Sequence, residues 1–297
     1  MSCCAVIVTF YPDSDVSESI SALRDQVNDI VIVDNGSKVE HKDMLQKISQ
    51  QYDSTIIYNE QNLGIAAALN IGIKLAKERG HEWVITFDQD SQVTLGMVET
   101  MLTAYATYPQ QEKVASLSPR YMNKNTGNIW RSKVSGNSSN NLPYCEVEGV
   151  ITSGNLIKLS IFDSVGFFNE GLFIDYVDKE FCLRCITQDY KILEAKDAIL
   201  LHMVGLPTKV NLLWNSSITT TNHSYLRRYY IARNSIFTYR TYLFEKPFWV
   251  LIDLYYLIGN LSKAIIFEPN KKRRLAATAL GFYDGFLNKL GKCTRIF

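Results

Sequence analysis

The chain has 297 residues, with 31 Lys and Arg against 30 Asp and Glu, so its formal net charge is +1. Apolar residues make up 46% and charged residues 21%, a composition typical of a folded globular protein and not of a disordered one. The near-zero charge argues against a general nucleic-acid binder, which would be strongly basic. With 16 Gly and 7 Pro, fibrous and low-complexity classes are also excluded.

The first hundred residues alternate strand-like and helix-like segments. Short apolar runs predict buried strands at 5–9, 30–34, 55–58 and 83–87, and helical spacing predicts helices at 14–27, 42–52 and 62–77. Continuous apolar strands separated by helices predict a mostly parallel sheet with both faces covered. Right-handed crossovers then give an α/β, Rossmann-like layer, whose ligands bind beyond the carboxyl ends of the strands.

Beyond residue 110 the pattern is less regular. Residues 121–145 are rich in Asn, Ser and Lys, which favours a polar loop or hairpin. Residues 147–189 mix short strands with a helix, and 192–204 predict two short strands with a turn at Lys196 and Asp197. From Tyr225 the pattern is helical to the end of the chain.

Charge is distributed unevenly along the chain. Residues 227–297 contain 13 Lys and Arg against 4 Asp and Glu, a net +9, which leaves 18 against 26, a net −8, for residues 1–226. A basic, aromatic end on an acidic body suggests that chemistry lies in the first part and surface attachment in the second.

The segment 248–267 is long and apolar enough to span a membrane. However, its polar residues fall on one helix face, which favours a helix lying on a membrane or on the main domain: Asp253, Tyr256, Asn260 and Lys263. The basic run 271–274 follows, and then a second apolar face: Leu275, Ala279, Phe282, Phe286 and Leu290. Basic clusters beside amphipathic helices attract anionic lipid by about 1 kcal/mol per charge. We expect peripheral membrane attachment, with a packed helical pair and a true span as the alternatives.

The six cysteines give no sign of a metal or redox site. Cys182 and Cys185 have the spacing of half a zinc site, but no second pair accompanies them. No signal peptide leads the chain, so free thiols in a reducing cytoplasm are expected.

Acidic and small residues follow the predicted strands. Asp88 and Asp90 come directly after the fourth strand, where both carboxylates can reach one divalent cation, or one can bind a ribose. Asp34 ends the second strand and can accept a hydrogen bond from a nucleotide, with a turn or cap role as the alternative. The helix that follows Asn62 opens with small residues, which suits either a phosphate or tight packing on the sheet. Neither G-x-G-x-x-G nor a P-loop is present.

An ordered set of motifs then carries a resemblance: VIVTFYP (6–12), VDNGS (33–37), NLGIAAALNIG (62–72), FDQDS (87–91), SGNLI (153–157), FNEGLFIDYVDKEFCLR (168–184) and ILLH (199–202). The chain resembles family 2 inverting glycosyltransferases with the GT-A fold. FIDYVD, RRYYIARN (227–234) and GFYDGFLNKLGK (281–292) resemble, within that family, bacterial L-rhamnosyltransferases of O-antigen and cell-surface polysaccharide assembly.

The resemblance implies a role for each matching position. Nucleotide-sugar contacts fall on Thr9, Tyr11, Asp34, Asn62, Gly64, Asn70, Asp88 and Arg184, and acceptor contacts on Gly154 and Asn155. The cation ligands would be Asp90, Asp88 and His202, for Mg²⁺ or Mn²⁺. Asp178 would be the general base. Val177 stands where the family often has Glu, and Asp175 would partly replace that missing carboxylate.

Several of these positions keep a second interpretation. Arg184 can face the diphosphate or pair with Glu180 four residues earlier, and His202 can be a hydrogen-bonded structural residue. The later Tyr-rich helix has four polar residues that can bind a diphosphate of the donor or of a lipid-linked acceptor: Arg227, Arg228, Arg233 and Asn234. Alternatively, the helix packs through its Tyr residues and its Arg residues are solvated.

The resemblance also implies an organisation and a reaction. A GT-A domain would occupy 1–220, with a nucleotide-sugar half at 1–110 and an acceptor half at 111–220, and a basic helical region would occupy 221–297. The expected reaction moves L-rhamnose from dTDP-β-L-rhamnose to a lipid-linked saccharide, on the cytoplasmic side of the bacterial inner membrane. Partners would be the donor, the lipid-linked acceptor and the membrane surface, without nucleic acid, and an oligomer is permitted.

Other readings of the sequence differ in donor or in class. UDP-galactofuranose or a UDP-hexose is the alternative donor. A sugar nucleotidyltransferase would carry a Gly-rich basic loop after the first strand, which TFYPDSD lacks. A noncatalytic polysaccharide-binding protein would not need Asp34, Asp90 and Asp178 intact.

Overall fold

The computed structural model describes residues 1–124, 126–130, 132–135, 141–202, 208–211, 217–220, 222–295 and 297. The chain forms two compact units. The first comprises Met1–Glu170 and Val177–Met203, and the second comprises Gly171–Tyr176 and Val204–Phe297. The chain therefore contributes a short segment, 171–176, to the second unit before it completes the first.

The first unit opens with the alternation that the hydrophobic pattern predicts. Its elements are β1 (Cys3–Thr9), α1 (Asp15–Arg24), β2 (Asp29–Asp34), α2 (Val39–Tyr52), β3 (Thr55–Tyr58), α3 (Ile65–Glu78) and β4 (Trp83–Asp88). All seven residues of β1 are buried, because β2 and β4 flank it in the sheet. Its apolar run thus lies in the core on both faces, as expected for a central parallel strand.

The rest of the first unit adds shorter elements to the same sheet. They are β5 (Gln92–Val93), α4 (Met97–Ala106), β6 (Val114–Met122), β7 (Ile129–Trp130), β8 (Tyr144–Glu146), β9 (Asn155–Lys158), α5 (Ile161–Val165), α6 (Val177–Thr187) and β10 (Lys191–Leu201). The prediction of two strands with a turn at Lys196 and Asp197 is wrong. β10 is one strand, and its pairing with β6 shifts register between Glu194 and Ile199, so the polar pair occupies an irregularity.

The main sheet is mixed. Its order is β3-β2-β1-β4-β9-β6-β10-β5, with β7 paired to β6 and β8 to β10. The first four strands are parallel, as predicted, but β9 runs antiparallel to both β4 and β6. Thr9 lies opposite Asp34, and Val8 lies opposite Asp88, so the ends of β2, β1 and β4 are level.

The second unit contains a two-stranded sheet and three long helices among its described residues. They are β11 (Thr208–Asn211), β12 (Ser217–Thr220), α7 (Tyr225–Tyr242), α8 (Pro247–Phe267) and α9 (Lys271–Phe286). Helix α9 ends at Phe286, so the expectation of helix to the end of the chain is wrong. Helices α7 and α9 approach closely at Gly281 and Gly285, where a Cβ would meet the backbone of α7.

Candidate active site

Asp34 lies at the carboxyl end of β2 and is completely buried. Its carboxylate accepts hydrogen bonds from the Thr9 hydroxyl at 3.3 Å, the Ser37 amide at 3.0 Å and the Ser37 hydroxyl at 2.5 Å. Ser37 also accepts a hydrogen bond from the Tyr11 amide at 2.8 Å, and the Tyr11 side chain is exposed beside His41. Thr9, Tyr11 and Asp34 thus form one continuous hydrogen-bonded rim at the end of β1 and β2.

A cluster of asparagines shapes the adjoining loop. Asn62 accepts hydrogen bonds from the Gly64 amide at 2.9 Å and from the Asn35 side chain at 3.2 Å. Gly64 has φ +89° immediately before α3, a conformation that L side chains rarely adopt. Asn35, which the sequence interpretation did not select, also binds the Leu63 amide at 3.0 Å and therefore ties the two loops together.

Asp88, Asp90 and His202 lie close together beyond the ends of β4 and β10. Their ligand atoms all fall within 4.8 Å of one another, and His202 Nδ1 is 3.8 Å from Asp90 Oδ1. Two carboxylates and an imidazole form a donor set that fits Mn²⁺ or Mg²⁺. Burial lowers the pKa of His202, against the pull of Asp90, which favours the neutral imidazole that a metal requires.

Two buried serines brace this cluster, and the sequence interpretation missed both. Ser91 Oγ lies 2.9 Å from His202 Nδ1 and 2.6 Å from Ser153 Oγ. Ser153 in turn accepts a hydrogen bond from the Asp88 amide at 3.2 Å. The neighbouring Gly154, at φ +76°, donates its amide to the Thr86 carbonyl at 2.7 Å. The SGN motif therefore lies against the end of β4, which bears the two aspartates.

Asp178 is half-buried in the first turn of α6, where the helix N-terminus favours an ionised carboxylate. Tyr121 of β6 lies within electrostatic range of Asp178 and beside His202 of the cluster. The Tyr121 ring lies edge-on to His202 with centroids 6.5 Å apart. Burial raises the pKa of Tyr121, and the neighbouring Cys182 and Asp178 raise it further, which keeps the phenol neutral. Tyr121 is a further residue that the sequence interpretation did not find, because nothing in RYM marks it.

Other predicted residues make mainly structural contacts. Arg184 donates to the carbonyls of Val165 at 2.6 Å and Phe167 at 2.9 Å, and pairs with Glu180 at 2.9 Å. Of its two interpretations, the structure contains the Glu180 pair. Asn70 binds the Phe168 backbone and the Glu170 carboxylate at 2.9 Å. Asn155 begins β9 and is buried.

The second unit holds Asp175, which pairs with Arg227 at 3.1 Å. Arg228, Arg233 and Asn234 are all buried and bonded within that unit. Packing is therefore the interpretation that the structure supports for these three residues, and the expectation that they are solvated is wrong.

The fold and the carboxylates at its sheet edge define a GT-A glycosyltransferase. A crystal structure of GalNAc-T7 with UDP, GalNAc and Mn²⁺ superposes with a TM-score of 0.65 and 15% identity, covering 97% of this chain and 56% of that chain. A family model described as glycosyl transferase family 2 matches residues 4–166, more than half of the chain. The chain belongs to glycosyltransferase family 2.

Two relatives cover most of the chain. One is the dTDP-rhamnosyl transferase RfbF of Shigella flexneri, 30% identical over 247 residues, or 80% of this chain and 79% of that protein. The other is the galactofuranosyltransferase GlfT1 of Mycolicibacterium smegmatis, 22% identical over 92% of this chain and 95% of that protein. Both are glycosyltransferases, and so is this protein.

Proposed function

We propose that the protein transfers a 6-deoxyhexose from a nucleoside diphosphate sugar with inversion at the anomeric carbon. The observation that carries this proposal is the Asp88–Asp90–His202 cluster, with Tyr121 edge-on to His202 and within electrostatic range of Asp178. One side of the site holds groups suited to a diphosphate and its cation. The other offers a carboxylate suited to an acceptor hydroxyl.

The residues divide the chemistry between them. Asp34 and its hydroxyl partners bind the ribose and base, and Asp88, Asp90 and His202 would hold Mg²⁺ or Mn²⁺. Such a cation neutralises the charge that develops on a departing diphosphate. Asp178 accepts the proton of the acceptor hydroxyl as that oxygen attacks the anomeric carbon, a step usually worth about 10²–10⁴-fold in rate. Attack opposite the leaving diphosphate inverts the anomeric centre, so a β-linked donor gives an α-linked product.

The donor we favour is dTDP-β-L-rhamnose, and the acceptor a lipid-linked saccharide at the cytoplasmic face of the membrane. Support comes from the 30% identity with the Shigella flexneri dTDP-rhamnosyl transferase. The relative named a galactofuranosyltransferase keeps UDP-galactofuranose as the alternative donor. The two are separated by heating the protein with Mn²⁺ and each nucleotide-sugar, because a ligand at 100 times its Kd stabilises the fold by about 2.7 kcal/mol.

The chemistry is tested with Asp178→Asn, assayed for release of nucleoside diphosphate in the presence of acceptor lipid extract and Mn²⁺. We expect transfer to fall about 10²–10⁴-fold while nucleotide binding is retained, since the donor contacts lie elsewhere. Asp197→Asn is the matched control, because Asp197 is an exposed carboxylate in the irregularity of β10. Normal transfer by Asp178→Asn would overturn the assignment of the base.

We further propose that α8 and α9 attach the protein to anionic membrane. The faces of α9 are reversed relative to a helix in a water-soluble core. Its buried face is small and polar, namely Arg274, Ala277, Thr278, Gly281, Asp284 and Gly285. Its exposed residues include Leu275, Leu280, Tyr283 and Phe286. A lipid phase is the environment in which an apolar outer face is favourable.

Helix α8 supports the same proposal. It is long and apolar enough to cross a membrane, yet only 17% of its most apolar window is buried. Its polar residue Asp253 accepts hydrogen bonds from Tyr239 at 2.7 Å and Tyr176 at 2.5 Å, which holds one edge of α8 to the protein. The exposed Lys271, Lys272 and Arg273 begin α9, where each contributes about 1 kcal/mol beside anionic lipid.

Vesicle flotation tests the attachment. The protein is expected to float with phosphatidylcholine–phosphatidylglycerol vesicles and to remain at the bottom with phosphatidylcholine alone. A Phe248→Ser, Tyr255→Ser double variant should lose flotation, whereas Leu95→Ser should not, since Leu95 is a fully exposed apolar residue of the first unit. The proposal would be overturned if the double variant floated as the wild type does. It would also be overturned by a lipid-free dimer that buries Phe248 and Tyr255.

A further inference from the structure

The segment Gly171–Tyr176 has an unusual backbone. Phe173, Asp175 and Tyr176 have φ of +65°, +62° and +63°, a region that residues other than glycine rarely enter. Such conformations cost free energy and persist only where the surroundings enforce them, most often at functional sites. The next two residues in the chain are Val177 and Asp178.

One side chain of α7 binds three of the six carbonyls of this segment. Asn234 is completely buried, and its Nδ2 donates to the carbonyl oxygens of Leu172 at 2.9 Å, Ile174 at 2.8 Å and Asp175 at 2.9 Å. Three carbonyls can converge on one amide only because the left-handed residues bend the backbone around it. The strained conformation and the Asn234 contacts therefore require each other.

Arg233, the residue before Asn234, orients the side-chain amide of Asn234. Arg233 Nε donates to Asn234 Oδ1 at 2.9 Å, so the oxygen of the amide faces Arg233 and its nitrogen faces the segment. Arg233 also donates through Nη2 to the carbonyls of Gly171 at 3.1 Å and Leu172 at 2.9 Å. Its guanidinium lies 4.8 Å from the centre of the Tyr230 ring, which holds its plane.

Side chains of the segment are held as well. The Phe173 ring stacks on Tyr230 with centroids 5.1 Å apart, and Tyr176 donates its hydroxyl to Asp253. All of these contacts lie within the second unit. Helices α7 and α8 thus determine the conformation of the six residues 171–176. After them the chain returns to the first unit at Val177, one residue before the proposed base.

We propose that Arg233 and Asn234 are positioning residues for sugar transfer. They hold segment 171–176 in its left-handed conformation and thereby set the position of Asp175 and the path by which the chain enters α6, whose second residue is Asp178. This inference rests on the proposed role of Asp178. It assigns no contact with substrate to either residue, and it makes the RN pair of α7 part of the catalytic geometry.

The test separates positioning from stability. Asn234→Ala and Asn234→Ser are purified in full-length form and assayed for transfer with Mn²⁺, and rates are expressed per nucleotide-binding site. We expect kcat to fall about 10²-fold in Asn234→Ala, because misplacement of a reacting group by about 1 Å costs that much. The Kd for nucleoside diphosphate should stay within twofold of wild type. Ser235→Ala is the matched control, since Ser235 is equally buried on α7 and, among the described residues, its hydroxyl bonds only to the Ala232 carbonyl.

Each outcome bears on a different proposal. Unchanged kcat per site in both Asn234 variants overturns the positioning role, even if their melting temperatures fall. If neither variant folds, Arg233→Lys decides, because it keeps the charge but loses the planar fork. It should lower kcat without changing nucleotide binding, and a wild-type kcat would overturn the inference. Absence of any transfer by the wild-type protein would refute the proposed function instead.

Discussion

Carboxylates at the sheet edge and carboxylates among the C-terminal helices have opposite surroundings. At the edge, Asp34 receives its hydrogen bonds from neutral hydroxyl and amide groups, and Asp90 has a half-exposed side chain next to His202. Among the helices, Glu268 is buried between Arg228 and Arg274, and Asp284 is buried with Arg295. A carboxylate that an arginine neutralises stabilises the fold, whereas one held by neutral donors keeps charge for a cation or a substrate.

The largest effect is expected at the sheet edge. Asp90→Asn should reduce transfer about 10²–10³-fold, because a bound cation supplies several kcal/mol of charge stabilisation. Unfolding should be unaffected, since no arginine or lysine pairs with Asp90 among the described residues. Steady-state rates and thermal melts of the same preparation measure both.

A chelator should abolish wild-type activity, and added Mn²⁺ should restore it. Asp163→Asn is the control for Asp90→Asn, because Asp163 is exposed and pairs only on the surface with Lys77. Normal transfer by Asp90→Asn would remove the contrast between the two regions.

Among the C-terminal helices we expect the removal of a carboxylate to lower stability and to leave activity unchanged. Glu268→Gln leaves Arg228 and Arg274 buried without their counter-charge, which should cost about 3–5 kcal/mol of stability. Transfer per folded molecule should be unchanged. Urea unfolding followed by circular dichroism gives the loss, and Glu245→Gln, an exposed carboxylate before α8, should lose almost nothing. A stable Glu268→Gln protein would show that this pair is not needed to hold the helices.

The packing of α7 on α9 gives a smaller effect that can be measured with two glycines. A Cβ on Gly285 would lie 2.6 Å from the Arg233 carbonyl oxygen, whereas one on Gly259 of α8 would meet no atom of the described residues within 4 Å. Gly285→Ala should therefore destabilise the protein by about 1–3 kcal/mol through overpacking. Gly259→Ala should stabilise it by about 0.5–1 kcal/mol, because alanine favours a helix. Equal effects in the two variants would contradict the close approach of α7 and α9.

The smallest effect concerns the dependence of stability on pH. Burial, together with Arg227 and Arg228, lowers the pKa of His223 to about 4. The unfolded state, with a pKa of about 6.5, binds a proton before the native state does, so stability is full above pH 6.5 and falls as the pH drops towards 4. His223→Gln should make the free energy of unfolding less dependent on pH in that window. An unchanged slope would mean that His223 is not the group responsible.

Much of the fold of residues 1–110 could be predicted from sequence. Apolar runs separated by amphipathic segments predicted β1 to β4 within a few residues, because hydrophobic periodicity is local. Parallel strands then place Asp34 and Asp88 at the same edge, two strands apart and thus about 10 Å from each other. Motif order in the chain predicted glycosyltransferase family 2, and the family match confirms it.

Only the tertiary structure decided the rest. Ser91 reaches His202 across 111 positions, and Asn234 reaches the carbonyl of Ile174 across 60. A buried arginine–carboxylate pair of the helical region also joins residues far apart in the chain. Such contacts depend on which distant residues meet once the chain is packed, and neither periodicity nor a short motif records that. The apolar pattern of α9 determined that it has two faces, but burial of Arg274 and Asp284 determined which of them points inward.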